Sequence, residues 1–138
     1  MELYIVDDNP DHQFLLYKLI KGLDKPYLVK FFESGRSLHK HMQQLSRSGQ
    51  HKGFPDLLVL DFNMPEMNGI EVLRLLRQPP LAECPQINKI PIVIMTSDIS
   101  PLQIRQCYQA GANAVVVKPL NFAVLKNTFQ SICRFWIG

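Results

Sequence analysis

The sequence predicts a doubly wound α/β domain, a parallel sheet with helices on both faces. Three observations carry this expectation. Five short runs of apolar residues recur along the chain, five segments with helical spacing follow them, and the two kinds alternate throughout. Continuous apolar runs are the pattern of strands buried on both faces of a parallel sheet. Strict alternation makes each helix the crossover between two parallel strands.

Each element has its own local reason. Leu3–Val6 is a short apolar run ending in Asp7 and Asp8. Residues 11–23 then set Leu15, Leu16, Leu19, Ile20 and Leu23 at helical spacing, with Asn9 as cap and Pro10 in the first turn. Tyr27–Phe32 is β-branched and aromatic, bounded by Pro26 and Ser34-Gly35, and reads as the second strand. Residues 35–47 carry Leu38, Met42 and Leu45 on one helical face. Leu57–Leu60 is the third strand, followed by Asp61. Met67, Ile70, Leu73 and Leu76 mark a helix over 66–77, and the prolines at 79, 80 and 85 mark 78–90 as a loop. Pro91–Met95 is the fourth strand, followed by Thr96-Ser97-Asp98. Ser100-Pro101 opens a helix that stops at Gly111. Ala114–Val117 is the fifth strand, followed by Lys118-Pro119. Asn121 caps a final helix whose stripe, Phe122, Leu125, Phe129, Ile132 and Trp136, reads as core.

Composition narrows the function classes. The 138 residues suit one domain, 46% hydrophobic and 20% charged. Disorder is excluded at that apolar content. No run approaches the roughly 20 apolar residues of a membrane helix, and the acidic start Met1–Asp8 does not resemble a signal peptide. A net charge of +3 without a Lys/Arg run argues against nucleic acid. Cys84, Cys107 and Cys133 have no metal-ligand spacing and read as reduced thiols of a cytoplasmic protein.

In doubly wound sheets, ligands bind beyond the carboxyl ends of the strands. That edge would carry Asp7-Asp8, Asp61, Thr96-Ser97 and Lys118-Pro119. Carboxylates crowded together do not all stay ionised without compensation. A divalent cation supplies it, and Mg²⁺ favours carboxylates plus a substrate phosphate. A carboxylate nucleophile, a metal, a cation and a hydroxyl together suit phosphoryl transfer onto an aspartate.

The ordered set of Asp7-Asp8, then Asp61 with Met64-Pro65 and Gly69 in the pattern D-x-x-M-P-x-x-x-G, then Thr96, Gly111-Ala112 and Lys118-Pro119 spans nearly the whole chain. With these residues the sequence resembles the receiver domain of two-component response regulators. The resemblance implies a flavodoxin-like (βα)5 fold with a five-stranded parallel sheet in the order 2-1-3-4-5. It implies one receiver domain over residues 1–138 with no output domain, and a signalling phosphoacceptor rather than an enzyme. Asp61 would be the phosphoacceptor, with Thr96 and Lys118 on the phosphoryl oxygens. Asp7, Asp8, Asp61 and the backbone carbonyl of Asn63 would hold Mg²⁺ or Mn²⁺, with Asp7 acting directly or through water. The Lys118-Pro119 bond would be cis. The partners implied are a sensor histidine kinase and a downstream or phosphotransfer protein. No nucleic acid and no membrane are expected as partners.

One residue departs from the family pattern. Three positions before the lysine the family usually carries Tyr or Phe, and here stands Val115, too short and stiff to swing as an aromatic does. The proline-rich segment 79–90 and the apolar end Cys133–Gly138 resemble single-domain regulators of phytochrome-like kinases. That end either packs on the domain or docks another subunit. A homodimer would use it, or the face made by the 100–111 helix, the fifth strand and the final helix. His12, His39, His41 and His51 show no metal pattern and read as surface residues, with contact to the nearby acidic pair the lesser reading of His12.

Two rivals share the fold or the site. An aspartyl-phosphate phosphatase would carry a second aspartate two residues after the nucleophile as acid/base catalyst, where this chain has Asn63. A phosphorylation-independent interaction module would have no need of the acidic, hydroxyl and lysine positions together.

Overall fold

The structure, a computed structural model, describes residues 1–98 and 100–138. Its five strands are β1 (Glu2–Val6), β2 (Leu28–Phe32), β3 (Leu57–Asp61), β4 (Ile92–Thr96) and β5 (Ala114–Val117). They form one parallel sheet in the order β2-β1-β3-β4-β5. The expected flavodoxin-like topology is therefore present.

Helices α1 (Pro10–Lys21), α2 (Gly35–Ser48), α3 (Gly69–Arg77), α4 (Pro85–Asn88), α5 (Pro101–Gln109) and α6 (Phe122–Ile137) cover the sheet. Side chains alternate along each strand, and this splits the core in two. Leu3, Ile5, Leu57, Val59, Val93 and Met95 pack with α1 and α6 on one face. Tyr4, Val6, Leu58, Leu60, Ile92 and Ile94 pack with α2 and α3 on the other. Strands β3 and β4 are buried at every position, in keeping with the apolar runs Leu57–Leu60 and Ile92–Met95 that precede their polar last residues, Asp61 and Thr96.

Several local expectations change. The 78–90 segment is more than a loop: it forms a 3-10 turn, Leu81–Glu83, and the single turn α4. The reason is tertiary, because Leu81, Ile87 and Ile90 are buried in the α2–α3 core. Arg77 closes this junction by donating to the carbonyls of Gly111 (3.2 Å), Asn88 (2.9 Å) and Ile90 (2.8 Å) and to Asn113 Oδ1 (2.9 Å). Among the described residues the cis peptide bond is Pro79-Pro80, and the expected cis bond at Lys118-Pro119 is not cis. Ser100 makes no side-chain cap bond. The stripe of α6 buries Leu125, Phe129 and Ile132, while Phe122 is exposed at its start. At its end Trp136 packs against the core and Phe135 faces outward. His41 is no free surface residue, because its Nε2 lies 2.8 Å from the hydroxyl of buried Tyr4.

Candidate functional site

Strand register brings the predicted residues to one edge. Val6 is paired with Leu60, Asp61 with Met95, and Thr96 with Val117. The next backbone bonds continue the ladders past the strand ends: Asp7 N–H donates to Phe32 O at 3.0 Å, Phe62 N–H to Met95 O at 2.8 Å and Lys118 N–H to Thr96 O at 2.8 Å. Asp7, Asp61, Thr96 and Lys118 thus emerge from β1, β3, β4 and β5 at the same end.

Asp7, Asp8 and Asp61 each offer a carboxylate oxygen, and all three oxygens lie within 4.8 Å of one another. Asp7 and Asp61 are buried and Asp8 is exposed. Lys118 Nζ stands 3.5 Å from Asp61 Oδ2. The Asn63 backbone N–H donates to Asp61 Oδ1 at 3.3 Å, and its side-chain amide donates to Ser97 Oγ at 3.0 Å, tying together the loops after β3 and β4.

The three carboxylates differ in environment. Burial pushes the Asp61 carboxyl above the ordinary carboxylate value; Lys118 opposes this and the Asp7 charge adds to it. Burial also acts on Asp7, but the His12 hydrogen bond, the Asn9 N–H and the charges of His12 and Lys118 outweigh it and hold that carboxyl low. Three carboxylates against one ammonium and one imidazole leave a deficit of positive charge even with the imidazole charged. The donor set, all hard oxygens, fits a divalent cation of the Mg²⁺ type.

Two further side chains join the site. His12, read as a surface residue, points its Nδ1 at Asp7 Oδ2 and is only 17% exposed. The available signal was positional. His12 is the third residue of α1, and helical side chains lean toward the N-terminus, here toward Asp7. Gln103, from α5, donates to Thr96 Oγ1 at 3.3 Å, and the Asp98 N–H donates to the same oxygen at 3.0 Å. At the departure noted above, the Val115 N–H donates to Tyr108 Oη at 3.2 Å. An aromatic therefore reaches β5 from α5 rather than standing on the strand itself.

Gly69 shows why the loop after Asp61 needs its glycine. A Cβ there would come within 3.2 Å of Phe62 Cα, and Gly69 N–H donates back to Phe62 O at 3.1 Å. Asn68 caps α3 next to it with a capping box to Glu71. Among the described residues, no helix is long and apolar enough to cross a membrane.

Comparison with known proteins agrees with this geometry. The chemotaxis protein CheY of Pseudomonas aeruginosa is 38% identical over 132 residues, covering 96% of this chain and 95% of that protein. A response regulator from Hahella chejuensis is similar in structure, with a TM-score of 0.77 and 28% identity over 99% of this chain and 94% of that one. The phosphorylated cyanobacterial phytochrome response regulator RcpA shares the fold, with a TM-score of 0.82 at 24% identity, over 99% of this chain and 94% of its own. Residues 3–130 match the response regulator receiver domain as a family. With its sheet order, its acidic edge and this match over most of its length, the chain belongs to the receiver domain family of two-component response regulators.

Proposed function

We propose that the chain is a phosphoacceptor in which Asp61 takes a phosphoryl group from a phosphohistidine. The observation that carries this reading is the convergence of three carboxylates on one strand edge, with Lys118 Nζ 3.5 Å from Asp61. A carboxylate oxygen of Asp61 attacks phosphorus, the P–N bond breaks, and the imidazole of the donor leaves with the electron pair. The product is an aspartyl phosphate. Lys118 neutralises charge on the phosphoryl oxygens, and Thr96 supplies a hydroxyl to one of them.

Asp8 and Asp61 would hold Mg²⁺ or Mn²⁺ directly, with the backbone carbonyl of Asn63. Asp7 would act directly or through water; its oxygens also accept from protein donors, Oδ1 from the Asn9 N–H at 3.0 Å and Oδ2 from His12. When bound, the cation neutralises the charge that builds between acceptor and phosphoryl oxygens. Asn63 stands where a phosphatase of aspartyl-phosphate type would need an acid/base carboxyl, so turnover stops at self-phosphorylation and slow hydrolysis.

Receiver domains work with histidine kinases and downstream effectors. Here residues 1–138 are read as a single receiver domain. Its output is a protein contact through the α5–β5–α6 face, where Leu102, Tyr108, Val117 and Val124 are exposed, or onward transfer of the phosphoryl group from Asp61. That face, or the exposed Phe135 at the end of α6, would also serve a homodimer. A phytochrome-like kinase is the finer reading, resting on the proline-rich 79–90 segment and the apolar end, and kinase phosphotransfer profiling tests it. The central test is intact mass after incubation with Mg²⁺ and acetyl phosphate. Wild type gains one phosphoryl group and Asp61→Asn gains none. A variant that still gained it would sink the assignment.

A further inference from the structure

The first turn of α1 wraps Asp7 on three sides. Asn9 N–H donates to its Oδ1 at 3.0 Å, Gln13 Nε2 to its backbone carbonyl, and His12 Nδ1 meets its Oδ2. Asp7 is 2% exposed, so water cannot take the place of a lost donor without reopening the packing. Of these contacts, the Asn9 bond is a backbone one that any residue at position 9 except proline would make. The imidazole bond depends on the side chain chosen at position 12.

Helix geometry explains how His12 reaches. Asn9 caps α1 and accepts from the N–H groups of Asp11 and His12. His12 is therefore held by its backbone at the third helical position, where a side chain folds back over the helix start. His12 lines a cavity of about 10 Å³ together with Asp7, Asp61, Lys118 and the apolar Leu16 one turn later. That volume holds at most about one water. The ring thus fills space beneath the acidic cluster as well as supplying a donor.

We propose that His12 is a positioning residue for the cation site, a side chain that orients Asp7 toward the ion without touching the ion. The inference rests on the metal reading above and adds a determinant to it. To donate to the Asp7 carboxylate, Nδ1 must carry a proton, as it does in the charged ring and in the Nδ1–H tautomer of the neutral one. Fixing one carboxylate oxygen aims the remaining lone pairs of Asp7 at a bound cation or at its water layer. Partners of this kind are worth about 10- to 100-fold in metal affinity.

The test is Mg²⁺ titration calorimetry on wild type, His12→Leu and His12→Asn. Thermal midpoints in EDTA establish that each is folded. The amide nitrogen of asparagine occupies nearly the position of Nδ1, so Asn restores the donor and Leu only the bulk. Leu is expected to weaken Mg²⁺ about tenfold, and Asn to recover most of that loss. Affinity of the Leu variant within about twofold of wild type would overturn the inference. So would an Asn variant as weak as Leu, because the directional N–H would then be irrelevant. Wild type that bound no Mg²⁺ at all would defeat the metal reading itself, and the role of His12 with it.

Discussion

Replacing Asp61 by Asn should stabilise the cation-free protein, because the acceptor carboxylate is held where a charge is costly. At an effective dielectric constant of about 20, two unit charges 3.5 Å apart interact by about 5 kcal/mol, and two that are 4.8 Å apart by about 3.5 kcal/mol. The Lys118 attraction on Asp61 and the repulsion from Asp7, whose carboxylate oxygen lies no more than 4.8 Å away, therefore offset each other to within about 1.5 kcal/mol. What remains is the cost of burying the Asp61 carboxylate, several kcal/mol for an ion taken out of water, reduced here by the Lys118 attraction and because the Asp61 side chain keeps 10% of its surface in solvent. A net gain of about 2 kcal/mol for Asp61→Asn is expected, a rise of about 6 °C in thermal midpoint for a chain of this size. The assay is circular dichroism melting in EDTA at pH 7.5.

The pH dependence has a definite sign. The folded value of Asp61 lies above its ordinary 3.8, so its charge costs stability at neutral pH. That cost is relieved as pH falls through the folded value toward 3.8. The gap between variant and wild type should therefore be widest near neutrality and close in that window. Asp7 behaves oppositely: its lowered carboxyl contributes stability above 3.8 that is lost only as pH falls further. Saturating Mg²⁺ should reverse the ranking, since ligand at a hundredfold excess over Kd adds about 2.7 kcal/mol to the form that binds it. A variant less stable than wild type in EDTA would refute the reasoning.

Three further outcomes are expected. Arg77→Leu removes four hydrogen bonds joining α3 to residues 88–90 and 111–113; it should cost about 3–5 kcal/mol in urea unfolding, and a loss below about 1 kcal/mol would remove Arg77 as the clamp of this junction. Gly111→Ala places a Cβ 2.6 Å from Arg77 Cγ at a φ of 112°, and should lower the thermal midpoint by more than about 5 °C; an unchanged midpoint would show that the turn relaxes freely. Tyr4→Phe deletes the hydroxyl that donates to Gly53 O at 2.7 Å and meets His41, and should cost about 1–2 kcal/mol while leaving acetyl-phosphate labelling intact.

Much of the fold is readable locally. Leu57–Leu60 and Ile92–Met95 announce buried strands because every residue is apolar, and a parallel strand between two helical layers has no solvent face. Asn9-Pro10 and Asn121 announce helix starts because capping is a contact between neighbours, and the structure shows both caps formed. Ser100-Pro101 looked equivalent, yet Asp98 Oδ1 takes the Ser100 N–H at 2.8 Å and the serine hydroxyl caps nothing. Prolines made 78–90 look like a plain loop, and burial of Leu81 and Ile87 against a distant helix overrode that local signal.

Sequence alone determined the strand order along the chain and the residue that follows each strand, and in a parallel sheet that is enough to place Asp7, Asp61, Thr96 and Lys118 on one edge. Tertiary structure decided what touches them. His12 on Asp7, Gln103 on Thr96 and the four bonds of Arg77 depend on distances set by packing between elements far apart in sequence or on the lean of a helical side chain. Periodicity records which face a residue occupies, and it carries no information on which atom of a neighbouring element lies within 3 Å.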